Sequence, residues 1–79
     1  MSKMPTEFEV QDLMFELRTA KNRETAISKK VICRDLDINP KYFPKLLKMA
    51  RRMADAKYLN IMNTGNDAYY VAKQKGVPH

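Results

Sequence analysis

The side chains of this 79-residue chain with chemistry to offer are mostly cations: 15 Lys plus Arg stand against 9 Asp plus Glu, a net charge of +6. Residues 1–28 hold four basic and five acidic side chains, 29–57 hold nine and three, and 58–79 hold two and one, so the excess lies in the middle third. A basic block of this kind is the usual footprint of a polyanion partner, nucleic acid above all. The competing reading is a solvated basic face that serves solubility alone, and the placement of the charges has to decide between them.

Covalent and acid–base chemistry has much less to work with. One Cys excludes an internal disulfide, and one His at position 79 excludes a zinc-type cluster built from this chain. Cys33, with no His near it in sequence, reads as a small core residue and not as a reactive thiol. Two Gly leave no phosphate-cradling loop. Glu9, Asp12 and Glu16 share one helix face, but acids early in a helix are ordinary partners of its dipole. The chain is therefore expected to be no enzyme and to carry no cofactor.

The hydrophobic fraction of 44% and charged fraction of 30% are those of a folded domain, and the length allows one domain, 1–79, with a thin core. Its longest apolar runs, such as Ala68-Tyr69-Tyr70-Val71-Ala72, fall far short of the about 20 residues of a membrane span. Glu7, Glu9, Asp12 and Glu16 occupy the region where a signal peptide would be apolar, so a reducing cytoplasm is the expected compartment.

The elements that must position the cations follow from caps and periodicity. Thr6-Glu7-Phe8-Glu9 has the form of a capping box, and Val10, Leu13, Met14 and Leu17 follow at the spacing of one buried face, which predicts a first helix over 7–20. Ser28 caps a short second helix over 29–36 that carries Ile32, Cys33 and Leu36 and stops at Asp37, a residue that tolerates the left-handed conformation. Asn39-Pro40 opens a third helix over 40–57, with Tyr42, Phe43, Leu46, Met49, Ala50, Met53 and Lys57 in one arc. Pro44 conflicts with a helix begun at 40, so a start at Pro44 after a tight turn is the alternative. From 58 to 73 the composition changes to β-formers, with strands at 58–62 and 68–72 around a five-residue turn at 63–67. Residues 74–79 read as a frayed tail.

This order of elements, together with residues 27–53, resembles the winged helix-turn-helix superfamily of DNA-binding domains. Ile32 looks like that family's first core aliphatic, Cys33 its small residue and Leu36 its second aliphatic. Asp37 takes the usual Gly turn position, and Ile38 looks like the turn hydrophobe. Phe43, Leu46, Leu47 and Ala50 look like the buried positions of the recognition helix. The resemblance implies an α+β fold, mainly α, with three helices and a C-terminal β-hairpin wing. It also implies a sequence-specific double-stranded DNA-binding transcriptional regulator of the small bacterial, phage or plasmid type. The chain departs from the family at Pro44, where a polar recognition residue is usual, in the length of the third helix, and in a wing turn without Lys or Arg.

At about 100° per residue, Lys41, Lys45, Lys48 and Arg52 fall within an arc of about 60° nearly opposite Leu46, Ala50 and Met53, the face such a family lays in the major groove. With Asn39 and Tyr42 at the start of the helix they form the expected DNA-contacting set. Lys29 and Lys30, at the positive end of the second helix, complete it if a phosphate there meets both the lysines and free backbone N–H groups; the alternative is two exposed lysines tolerated at small cost.

Phe8 and Phe15 project away from the core face of the first helix. Either the wing, the N-terminal arm or the C-terminal tail covers them, or they form a homodimer contact. Two other functions compete with DNA regulation. One is a protein-interaction winged helix, polymerase-binding, antirepressor or assembly factor, which Phe8 and Phe15 favour and the basic stripe opposes. The other is RNA binding, with Tyr58, Tyr69 and Tyr70 either stacking platforms for bases or, as strand aromatics in a small domain more often are, core residues.

Overall fold

The computed structural model describes residues 4–75. Helix α1 spans Glu7–Glu16 and opens on the expected capping box: the Thr6 hydroxyl accepts from the Phe8 N–H at 3.3 Å, and the Glu9 carboxylate accepts the Thr6 N–H at 2.9 Å. It does not run on to residue 20. A 3-10 turn at Leu17–Thr19 tightens its end, and the Ala20 carbonyl leaves the helix to accept the Val71 N–H at 2.8 Å, which docks this corner on the wing.

Asn22 then organises a tight turn, its Oδ1 accepting the N–H groups of Glu24 and Thr25 at 2.9 and 3.0 Å. A two-residue strand β1, Ile27–Ser28, follows; no local pattern announced it. Ser28 also caps helix α2, Lys29–Leu36, by accepting the Val31 N–H at 3.2 Å. Asp37 ends that helix in the left-handed region at φ 53°, ψ 47°, and the Ile38 N–H returns to the Cys33 carbonyl at 2.9 Å.

The third helix is divided where the two prolines require it. Pro40–Tyr42 form a 3-10 turn capped by Asn39, and helix α3 runs Phe43–Ala56. Pro44 thus sits in the first turn of α3, where an N–H would have no intrahelical partner, and its cost vanishes. The single helix over 40–57 is therefore corrected to a turn plus a helix.

The wing is β2, Leu59–Asn63, and β3, Ala68–Lys73. Tyr58 is not part of it; at φ 59° it is the left-handed residue that ends α3, its N–H bonded to Asp55. Asn63 belongs to β2, so the turn is 64–67, shaped by Gly65 at φ 95° and Asp67 at φ 54°. Gln74 is no frayed residue: its N–H bonds the Tyr58 carbonyl at 3.0 Å and its side chain bonds Asp55 at 2.7 Å. The rest of the expected tail beyond Lys75 lies outside the described residues.

All three strands form one antiparallel sheet in the order β1-β3-β2, with Ile27 opposite Tyr69 and Ile61 opposite Val71. The result is a mainly helical α+β fold, a helix-turn-helix pair α2–α3 followed by a β-hairpin wing. The core joins Val10, Leu13 and Leu17 of the first helical segment to Ile32 and Cys33 of α2, to Phe43, Leu46, Leu47, Ala50 and Ala54 of α3, and to Ile61 and Tyr69 of the sheet. Phe43 and Tyr69 meet with ring centroids 5.3 Å apart. Among the described residues no helix is long and apolar enough to cross a membrane.

Candidate nucleic-acid interface

Burial of Leu46, Ala50 and Phe43 fixes the rotation of α3, and with it the direction of every other side chain on the helix. Lys45, Lys48 and Arg52 are consequently exposed on the opposite side, where they share a shallow surface with Pro44 and Met49. At about 1.5 Å per residue α3 is about 21 Å long, and this stripe follows about half of it. Lys41 stands apart from strict helical register, because the 3-10 turn that holds it advances about 120° per residue. Its ammonium lies 5.1 Å from the Tyr42 ring. None of these four cations has an acidic partner among the described residues, where the ion pair formed is Arg34–Asp35 at 3.3 Å.

Asn39 and Tyr42 are partly committed to the fold. The Asn39 side-chain oxygen accepts the Lys41 N–H at 3.0 Å, and Tyr42 is half-buried against the core.

A second cationic surface surrounds the start of α2. Lys29, Lys30 and Arg34 line a concavity of about 810 Å³ whose other walls include Pro40 of the turn, Asn66 and Asp67 of the wing tip and Asp37, so two acids stand beside the three cations. Two of the amides expected to add to it are already bonded. The Lys29 N–H is taken by the Asp67 carbonyl at 2.7 Å and the Val31 N–H by the Ser28 hydroxyl, so anion attraction here rests chiefly on side chains. Lys29 is half-buried, with its ammonium 5.6 Å from the Phe43 ring, whereas Lys30 is exposed.

Two cations were missed in the sequence. Arg34 follows Lys30 by four positions and so shares its helix face, a signal that was available. Arg23 gave none, because it reaches the wing turn across 41 residues, donating to the Thr64 carbonyl at 3.5 Å. It supplies a cation beside a wing that has none in its turn.

Of the tyrosines, Tyr69 is 5% exposed and its phenol is pushed up by burial, so it is a core residue. Tyr70 is half-buried and Tyr58 exposed. Cys33 is free and buried, its thiol raised by desolvation, as expected of packing in place of reactivity. Glu16 lies against α2: a hydrogen bond with Asp35, then desolvation and the Asp35 charge, hold its carboxyl above the ordinary range, while Arg18 and Arg34 pull it back.

Phe8 and Phe15 are 78% and 64% exposed, and the Arg18 guanidinium stacks 3.8 Å from the Phe15 ring. Comparison of the chain with protein-family models, with curated proteins and with solved structures finds no match.

Proposed function

We propose that the protein binds double-stranded DNA sequence-specifically and acts as a transcriptional regulator of winged helix-turn-helix type. The observation that carries this reading is the exposed stripe Lys45, Lys48 and Arg52 on the side of α3 opposite its buried face, with Lys41 just ahead of it. A helix fits the major groove, where Lys and Arg read guanine edges or grip phosphates. Lys29, Lys30 and Arg34 border the start of the same helix through Pro40, which suits contact with the flanking backbone. In this reading the α2–α3 pair is the reading head.

The competing RNA reading loses Tyr69 to the core. The protein-interaction reading keeps the exposed Phe8 and Phe15 but leaves the basic stripe without a role. Selection of bound duplexes from a random pool tests the choice. Enrichment of one motif, lost in Lys45→Ala, supports sequence-specific DNA binding; a pool that stays random while single-stranded RNA competes as well as duplex rejects it.

A further inference from the structure

A groove of about 540 Å³ lies between the end of the first helical segment and the base of the wing, with a floor of Met14, Leu17, Leu59, Val71 and Ala72. Its rim is basic throughout: Arg18, Lys21, Lys57 and Lys73, with no acid among the lining residues. It is at the opposite end of the hairpin from the wing tip that faces α2, since Leu59 pairs with Lys73 at the hairpin's open end. The stripe on α3 and the concavity at α2 do not use it.

The outer face of α1 is built to the opposite specification. Phe8 and Phe15 stand on it about 20° apart in helical projection, with Asp12 beside them and Glu7 at the margin, all exposed. That face and the groove adjoin, because Arg18 belongs to the rim of one and stacks on Phe15 of the other.

We infer that these two surfaces are the halves of a self-complementary interface: a second copy of this chain lays the outer face of its α1, Phe15 foremost, into the groove, and receives the same in return. Charge complementarity names the occupant. An apolar floor inside a wholly cationic rim calls for an apolar surface flanked by acids, which the α1 face presents with Phe8 and Phe15 beside Glu7 and Asp12. Because face and groove adjoin, one two-fold axis near Arg18 satisfies both contacts at once, the requirement of an isologous dimer. Phe15 is the anchor, an aromatic entering a pocket, and the charges around it set the register. The inference is independent of the DNA reading, and either can fail alone.

Sedimentation equilibrium of the full chain, at about 1–300 μM and two salt concentrations, tests it with three variants. The wild type is expected to dimerise, more weakly at high salt. Phe15→Glu is expected to be monomeric with an unchanged circular dichroism spectrum. Two charge-reversed forms, Glu7→Lys with Asp12→Lys and Lys57→Glu with Lys73→Glu, should each lose at least about tenfold in self-association, or about 1.4 kcal/mol. Mixed together they should form a dimer of near wild-type strength, since both contacts are then again of opposite charge. The inference is overturned by a wild type monomeric at 300 μM (about the top of that range), by a Phe15→Glu protein that unfolds, or by reversed forms that show no recovery on mixing.

Discussion

The backbone N–H of Lys29 donates to the carbonyl of Asp67 at 2.7 Å, so the first residue of α2 and the tip of the wing are held as one piece. The link closes on a residue in the left-handed region, Asp67 at φ 54°, which Asp, Asn and Gly accept and β-branched residues resist. Asp67→Val is expected to lower stability by about 1–2 kcal/mol and to speed hydrogen exchange of the Lys29 amide, whereas Asp67→Asn leaves both near wild type. Equal behaviour of the two variants would show that the wing tip is not anchored by this conformation.

Tyr58 occupies the same backbone region at the end of α3, at φ 59° and 51% exposed, with little packing to offset the strain. Tyr58→Gly should therefore stabilise the domain by roughly 0.5–1 kcal/mol despite the lost side chain, read as a rise in melting temperature. A fall would mean that the ring contributes more than its exposure implies.

These two positions mark where the sequence was legible and where it was not. Ser28, Asp37 and the Thr6–Glu9 pair are local signals: a side chain bonds or permits its own neighbouring backbone, so the start of α1 and both ends of α2 could be read from a few residues. The stripe on α3 was equally open to view, because apolar spacing fixes the rotation of a helix. Strand β1 was not, since two residues have no periodicity and their partners, Tyr69 and Ala68, lie some forty positions away. The end of α1 was hidden for the same reason, as it is set by Val71 bonding Ala20. The loss of the Lys29 amide at the start of α2 likewise depends on the distant Asp67.

Glu16 gives a pH-dependent handle on the contact between α1 and α2. Its carboxyl is held above the ordinary value of 4.5 in the folded state, first by the hydrogen bond with Asp35. The folded state thus keeps this proton to higher pH than the unfolded chain, so the contribution of Glu16 to stability falls as pH rises through the folded value. It recovers as pH drops from there toward 4.5. Glu16→Gln is expected to melt above wild type at pH 7, with the gap narrowing toward pH 4.5. A variant that melts lower at neutral pH would show the carboxylate to be a favourable partner of Arg18 or Arg34. Solvent screening keeps the difference small, and the sign is the readout.

The proposed DNA reading predicts that roles within the basic segment divide by element. If the proposed reading holds, Lys41→Ala in the turn ahead of α3 and Lys45→Ala in its first turn should relax sequence preference as well as weaken binding. Lys30→Ala should weaken all duplexes alike, as expected of a phosphate contact. Lys29→Ala should do the same with a small loss of stability, because its half-buried stem and the contact with Phe43 go with it. Parallel affinity measurements on a preferred and a scrambled duplex separate these effects, and a change of preference confined to Lys29 and Lys30 would reverse the assignment.

Duplex affinity measured across a salt series decides whether DNA is the partner. With about four phosphates neutralised, log affinity should fall against log salt with a slope of roughly −3.6, a loss of about 150-fold between ~50 and ~200 mM. A response that stays flat over that range, or no binding to any duplex at ~50 mM salt, would contradict the assignment of DNA as the partner.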